Sequence, residues 1–157
     1  MTFEELTKGI KNIITWYNKT NPREDKFIEL LDNRDKLAGY RYLLAEFAGD
    51  VKGEYNEHYF IRRINVTKST HAILAASKLP KNKAEIEALL EHEDLYHIEQ
   101  TAEAVAYKAD LLWKTVGDTL QAMQQRISFY KNENNPTVEI LEKIYNSVKK
   151  HENESDN

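Results

Sequence analysis

Between Leu95 and Tyr130, apolar residues return every three or four positions: Leu95, Ile98, Ala102, Val105, Ala109, Leu112, Val116, Leu120, Met123, Ile127 and Tyr130. They form one continuous stripe on a 3.6-residue helix, so a single long amphipathic helix is predicted. Up to Leu120 the steps match a coiled-coil seam. Beyond it Thr119 and Arg126 occupy the heptad positions, and Leu120 and Ile127 carry the stripe further round, as a nearly straight helix would. No proline interrupts the run. At about 1.5 Å per residue it spans on the order of 50 Å, and a stripe of that length has to be buried against other helices or against copies of itself.

Shorter helices are predicted around it. Thr2 and Glu5 have capping-box spacing, and Phe3, Leu6, Ile10, Ile13, Ile14 and Tyr17 follow with helical period. Asn21-Pro22 reads as the start of a second helix, with Asn21 as N-cap and Pro22 at the first helical position. That helix runs to Ala48, with Phe27, Leu30, Leu31, Leu37, Tyr40, Leu44 and Phe47 inward. The Gly49–Gly53 segment is predicted to be a turn. Helix resumes from about Asn56 through Ala76. A strand over Ile61–Thr67 is the alternative, because Ile64, Val66, Thr67, Ser69 and Thr70 are poor helix formers. After Pro80, Asn82 and Glu85 read as a second capping box, opening a helix through Ile86, Leu89 and Leu90. This helix either breaks near His92–Asp94 or continues into the long one. Asn132–Asn135 reads as a polar stop. Asn135-Pro136 then opens a last helix through Val138, Ile140, Leu141, Ile144, Tyr145 and Val148, followed by a tail over 151–157 too polar to fold alone.

The fold class expected is all-α: a helical bundle with one long C-terminal amphipathic helix. A single domain over 1–150 is expected, made of an N-terminal hairpin (1–48), a basic segment plus the long helix (55–131) and a terminal helix (136–150). The stripe residues Leu95, Ile98, Val105, Leu112, Val116, Leu120, Met123 and Ile127 are the expected interface of a homo-oligomer, a ring or a bundle.

With 41% hydrophobic and 31% charged residues and only 5 Gly and 3 Pro, the 157-residue chain has the profile of a soluble helical protein. No apolar run has the length of a membrane span, and no signal-peptide pattern is present, so no membrane partner is expected. The absence of cysteine excludes disulfides, thiolate metal sites and a cysteine nucleophile, and makes the cytoplasm the default location.

The net charge of −4 hides an asymmetry. Residues 1–83 hold 15 Lys+Arg against 11 Asp+Glu, and residues 84–157 hold 7 against 15. From His58 to Lys83 there are Arg62, Arg63, Lys68, Lys78, Lys81 and Lys83 and no acid, which points to a polyanionic partner for that region. Tyr55, Tyr59 and Phe60 just upstream supply rings. Cations for phosphates beside rings for bases are what a sequence-tolerant single-strand binder needs. The bland alternative keeps the rings in the core and pairs the cations with the acidic stretch Glu85–Asp94.

Other constellations are weaker. His92 and His97 are five residues apart, so they miss the shared face of a His-Glu-x-x-His site, and with Glu93 and Glu99 they read as a solvated helix face with no metal. Glu99, Glu103 and Asp110 align as carboxylates do in helical Mg-dependent nucleotide hydrolases, with Glu29 and Asp32 as a conceivable second pair. No phosphate-cradling glycine loop and no nucleophilic triad is evident, so no enzymatic activity and no cofactor is expected.

Three stretches resemble the UvsY-type recombination mediator proteins of tailed phages. Trp16-Tyr17-Asn18-Lys19 is similar to the family's Trp-Leu-Asn-Lys near the end of its first helix. Leu37 to Gly49 resembles its basic-aromatic helix ending at glycine. The order of His58–Lys78, then the long helix with Trp113 and a final basic-aromatic turn, resembles its C-terminal half. The likeness covers most of residues 10–132 and rests largely on spacing and order. It implies a small helical protein that forms a closed ring and binds single-stranded DNA without sequence preference. It also implies help to a phage recombinase in displacing single-strand-binding protein, in the host cytoplasm. Arg41 stands where the family has a DNA-binding basic residue, and Leu43 falls on its second such position. Arg62, Arg63 and Lys68, with Tyr59, Lys78, Lys81 and Lys83, are then expected to supply the remaining contact. The rival readings are a helical adaptor or virion-associated protein and, third, the nucleotide hydrolase.

Overall fold

The structure, a computed structural model, describes residues 2–132 and 136–155. Among these there are five α-helices and no strand: α1 (Phe3–Thr20), α2 (Phe27–Ala76), α3 (Lys81–Glu91), α4 (Glu93–Asn132) and α5 (Pro136–Ser155), with a 3₁₀ turn at Glu24–Lys26. The all-α class and the long helix predicted at Leu95–Tyr130 are both present.

The local signals that held are the ones satisfied by their own side chains. Thr2 accepts from the Glu5 backbone N–H at 3.2 Å, and the Glu5 carboxylate accepts from the Thr2 N–H at 2.8 Å, completing the capping box. Those hydrogen bonds hold the Glu5 carboxyl below its usual range.

Several expected boundaries differ. Asn21 is the C-cap of α1, not an N-cap of the next helix: it sits in the left-handed region at φ 44°, and its N–H donates to the Tyr17 carbonyl. Asn tolerates that conformation and so can end a helix as glycine does. Pro22 is buried, and its carbonyl accepts from Tyr130 Oη at 2.9 Å and Arg126 Nη1 at 3.1 Å. The predicted turn at Gly49–Gly53 is helical, part of an unbroken α2 of 50 residues. The buried Val51 anchors that stretch, and packing overrides the roughly 1 kcal/mol that each helical glycine costs. The strand alternative at Ile61–Thr67 is likewise helix. There Asn65, Thr67 and Thr70 donate their side-chain hydrogens to the carbonyls one turn back, so poor helix formers are accommodated. Pro80, not Asn82, is the N-cap of α3, and Asn82 lies in its first turn. The chain does break at His92 (φ −114°, ψ 32°) before α4. The tail expected to be unfolded continues as α5 to Ser155. The stop at 133–135, including Asn135, and residues 156–157 lie outside the described residues.

The chain forms two compact units: Met1–Leu44 with Trp113–Asn157, and Ala45–Leu112. The first is a four-helix arrangement of α1, the start of α2, the end of α4 and α5. Its core is made of large side chains: Leu6, Ile10, Phe27, Leu30, Leu37, Leu44, Val116, Met123, Ile127 and Val138. The α5 helix is tied down by Tyr145, which is buried and donates to Asp35 at 2.7 Å, and by Lys149, 3.5 Å from Asp32. Burial, then the Asp35 bond, push the Tyr145 phenol well above its usual range.

The second unit packs α3 and the beginning of α4 on the C-terminal part of α2. Its core is thin: Val51, Ala84, Ala88 and Ala109, with Thr70 and Glu99 as buried polar residues. The large apolar residues of α3 do not form its inner face. Ala84 and Ala88 are buried, while Ile86, Leu89 and Leu90 are exposed, because α3 approaches its neighbours through its two smallest side chains.

The glycines test helix continuity. A Cβ built at Gly49 or Gly53 meets nothing within 4 Å. Gly49→Ala/Gly53→Ala is therefore expected to stabilise the protein by about 1–2 kcal/mol in urea denaturation. A Cβ at Gly9 lies 2.8–2.9 Å from the Tyr40 ring, so Gly9→Ala is expected to cost about 1–3 kcal/mol. A destabilised double variant would mean that 49–53 is not helical.

Candidate nucleic-acid interface

The acid-free run falls on the last turns of α2, the connection after it and the first turn of α3, all within the second unit. A helix displays consecutive residues at 100° intervals, so a run of cations cannot all face one way. Arg62 points inward; Arg63, Lys68, Lys78, Lys81 and Lys83 are exposed.

Arg62 is the centre of a part-buried polar cluster around the buried Glu99. Its guanidinium grips Glu99 of α4 through two hydrogen bonds, from Nε to Oε2 and from Nη2 to Oε1 (the latter 3.2 Å). The guanidinium carbon lies 5.7 Å from the centre of the Tyr96 ring and 6.0 Å from that of Tyr59. The Glu99 side chain is only 5% exposed and that of Arg62 20%. The hydrogen bond to Glu99 raises the Arg62 pKa further, against the opposing effect of burial. The expected DNA contact of Arg62 is thus occupied by an internal ion pair. Its partner lies outside the Glu85–Asp94 stretch that the bland reading proposed.

The other predicted residues are arranged differently. Tyr59 is half-buried, edge-on to Phe60 at 5.5 Å, and its hydroxyl accepts a long 3.4 Å bond from Arg63. Lys81 Nζ is 3.8 Å from Glu85 on the same helix, a loose surface pair.

Arg41 belongs to the first unit. Its guanidinium stacks 4.6 Å from the centre of the Trp113 ring, on the wall of a cleft of about 530 Å³. Arg34, Lys114, Gln121 and Gln124 also line this cleft, with Asp118 as its one acid. Arg34 also pairs with Asp35 at 2.6 Å, so the cleft's cations are partly engaged within the chain; cations beside an indole are nonetheless the groups that suit a phosphate and a planar base. Sequence reasoning missed Arg34, Lys114 and the two glutamines. Their signal was a polar stripe along α4 (Lys114, Gly117, Gln121, Gln124) lying beside the apolar one. Leu43, at the position where the resembled family carries its second basic residue, is 38% exposed.

The expected oligomer stripe is split. Val116, Met123 and Ile127 are fully buried within the first unit, and Leu95, Leu112 and Leu120 are half-buried. Only Ile98 and Val105, in the second unit, are exposed.

The residues weighed for metal or hydrolase chemistry have other partners. The His92 ring is 2.8 Å from Ser69 Oγ, and His97 Nε2 is 3.6 Å from Glu93. Glu29 pairs with Lys26, and Asp32 with Lys36 and Lys149. Among the described residues no three His, Asp or Glu side chains gather as a metal-binding group, and no helix is long and apolar enough to cross a membrane. Compared with family models, curated proteins and solved structures, the chain matches none.

Proposed function

We propose that this chain is a non-enzymatic, single-stranded DNA-binding recombination mediator of the UvsY type, working in the cytoplasm of a phage host. The observation that carries the reading is that Arg63, Lys68, Lys78 and Lys83, four cations of the acid-free run, are all exposed on one compact unit, though not on one helix face. The cationic cleft around Arg41 and Trp113 on the other unit adds to it. In the proposed mechanism, phosphates are held by these side chains without base readout. Copies in a ring multiply weak contacts into tight binding. The strand, bent over the ring, releases single-strand-binding protein and lets the recombinase nucleate.

The test is a salt titration of binding to a fluorescent oligothymidine. Four single-strand phosphate contacts give a log K against log salt slope of about −3, and Arg63→Glu/Lys78→Glu is expected to flatten it by about 1.4. Arg62 is not the residue to change, because its loss would disturb the fold. Absence of binding at low salt by folded protein would sink the reading.

The second reading, a helical adaptor without nucleic acid, is favoured by the exposed apolar residues of α3. An adaptor would be indifferent to Arg63→Glu/Lys78→Glu. The engagement of Glu99 by Arg62 weighs against the third, a nucleotide hydrolase.

A further inference from the structure

The cleft between α2 and α4 of the first unit is shaped as well as charged. The Phe27 ring meets that of Tyr130 at 6.3 Å and the Arg41 guanidinium meets Trp113 at 4.6 Å, so the two helices run antiparallel there. At one end of the cleft Arg41 lies over the indole. Arg34 stands on the same face of α2, seven residues or about 10 Å earlier, which sets it toward Gln121 and Gln124 at the other end. Ala38 and Gly117 line the middle. The two smallest residues of the lining thus hold the space open between its two ends.

Arg41 is held unlike the other arginines of the two long helices. Arg34 pairs with Asp35 and Arg62 with Glu99, whereas Arg41 has no carboxylate partner among the described residues and rests on the indole. A Cβ built at Gly117 would lie 3.2 Å from its Nη2 and 3.5 Å from its Cζ. The missing side chain at 117 is therefore what lets the guanidinium reach across α4 to Trp113. The result is a planar cation preset on a ring, on the wall of a cavity of about 530 Å³, within the ~300–1,000 Å³ of small-molecule pockets. A site for phosphate alone has no use for the indole, and a site for an uncharged ring has no use for the arginines. A flat base stacks on such a pair, its phosphate answers the unpaired charge, and the glutamine amides offer donors and acceptors between them.

We infer that this cleft is a one-nucleotide pocket whose ligand is a nucleoside phosphate, with the base on the Arg41–Trp113 pair and the phosphates between Arg41 and Arg34. The proposed function asks only charge of the cleft; a pocket is a saturable site that a single nucleotide fills. For a nucleotide within a strand this rests on the proposed function, and for a free nucleotide it does not. Free nucleotide then competes with a strand at the first unit and leaves the cations of the second unit untouched. Asp118, the one acid of the lining, opposes the phosphates.

Trp113 reports on the pocket directly. In the full chain carrying Trp16→Phe it is the only tryptophan, and dTTP is expected to quench its emission saturably. Thymidine and inorganic tripolyphosphate, each lacking one part of the ligand, are expected to compete at least about tenfold more weakly. Ala38→Leu, at an exposed position and checked for helicity by circular dichroism, fills the middle of the cleft without changing any charge. It is expected to weaken dTTP binding at least about tenfold. Asp118→Asn is expected to tighten it about twofold. Unchanged affinity in Ala38→Leu, or tripolyphosphate that competes as well as dTTP itself, overturns the pocket and leaves a diffuse cationic surface. A saturable response to dTTP in a protein that does not bind oligothymidine keeps the pocket and removes the mediator. Oligothymidine binding without any Trp113 response to dTTP removes the pocket and keeps the mediator.

Discussion

Arg62→Ala is expected to lower stability by about 3 kcal/mol in urea denaturation, near the low end of the ~3–5 kcal/mol typical of breaking a buried pair. The cost comes mainly from Glu99, left almost fully buried without a partner. The partial exposure of Arg62 keeps the figure from the top of that range. Arg62→Lys is not expected to rescue the loss in full, because an ammonium cannot reproduce the two-point grip or the contact with the rings of Tyr59 and Tyr96. Arg62→Met/Glu99→Leu is expected to restore stability to within about 1 kcal/mol of wild type or above it, since apolar side chains of similar volume incur no charge desolvation. A loss below about 0.5 kcal/mol in Arg62→Ala would mean that the pair is solvated and that Arg62 is free for a ligand. The design thus separates an architectural arginine from a binding one.

Val116→Asp is expected to abolish folding of the first unit. Val116 has no exposed surface, and a carboxylate placed there has no cationic partner arranged for it, so the loss is expected to exceed about 4 kcal/mol. Ile98→Asp, on the same stripe of α4 but 45% exposed, is expected to leave helicity and midpoint within about 0.5 kcal/mol of wild type. Circular dichroism during thermal unfolding reads both. If Val116→Asp folded normally, α4 would not be a core helix there, and the stripe would be open to an oligomer partner along its whole length.

The contrast between those positions explains what the sequence could reveal. A three-to-four-residue period reports that a face is buried, and it located α4 to within about two residues at each end. It does not report by what. The same stripe is core at Val116 and Met123 and surface at Ile98 and Val105. On α3 the rule that large apolar residues face inward fails outright: Ala84 and Ala88 permit a close approach that Leu89 and Leu90 would prevent. The role of Asn21, a C-cap and not an N-cap, and the helical Gly49–Gly53 differ from expectation for a related reason. Asn and Gly signal what the backbone is permitted to do, and packing around Pro22 and Val51 decided what it does. Of the candidate interface, the exposed cations were legible from composition. The withdrawal of Arg62 was not, because its partner lies 37 residues away and only the tertiary fold brings them together.

The division into two units has an optical consequence. The chain has 2 tryptophans, Trp16 and Trp113, and both fall in the unit formed by Met1–Leu44 and Trp113–Asn157. Trp16 lies well inside that unit and Trp113 at its edge, next to Leu112, so Trp16 emission reports on the first unit, while backbone ellipticity weighs every helix. If the thin-cored unit melts first, the ellipticity transition will begin at lower denaturant than the emission transition. One untagged sample, followed with two detectors, would then report the two stabilities separately.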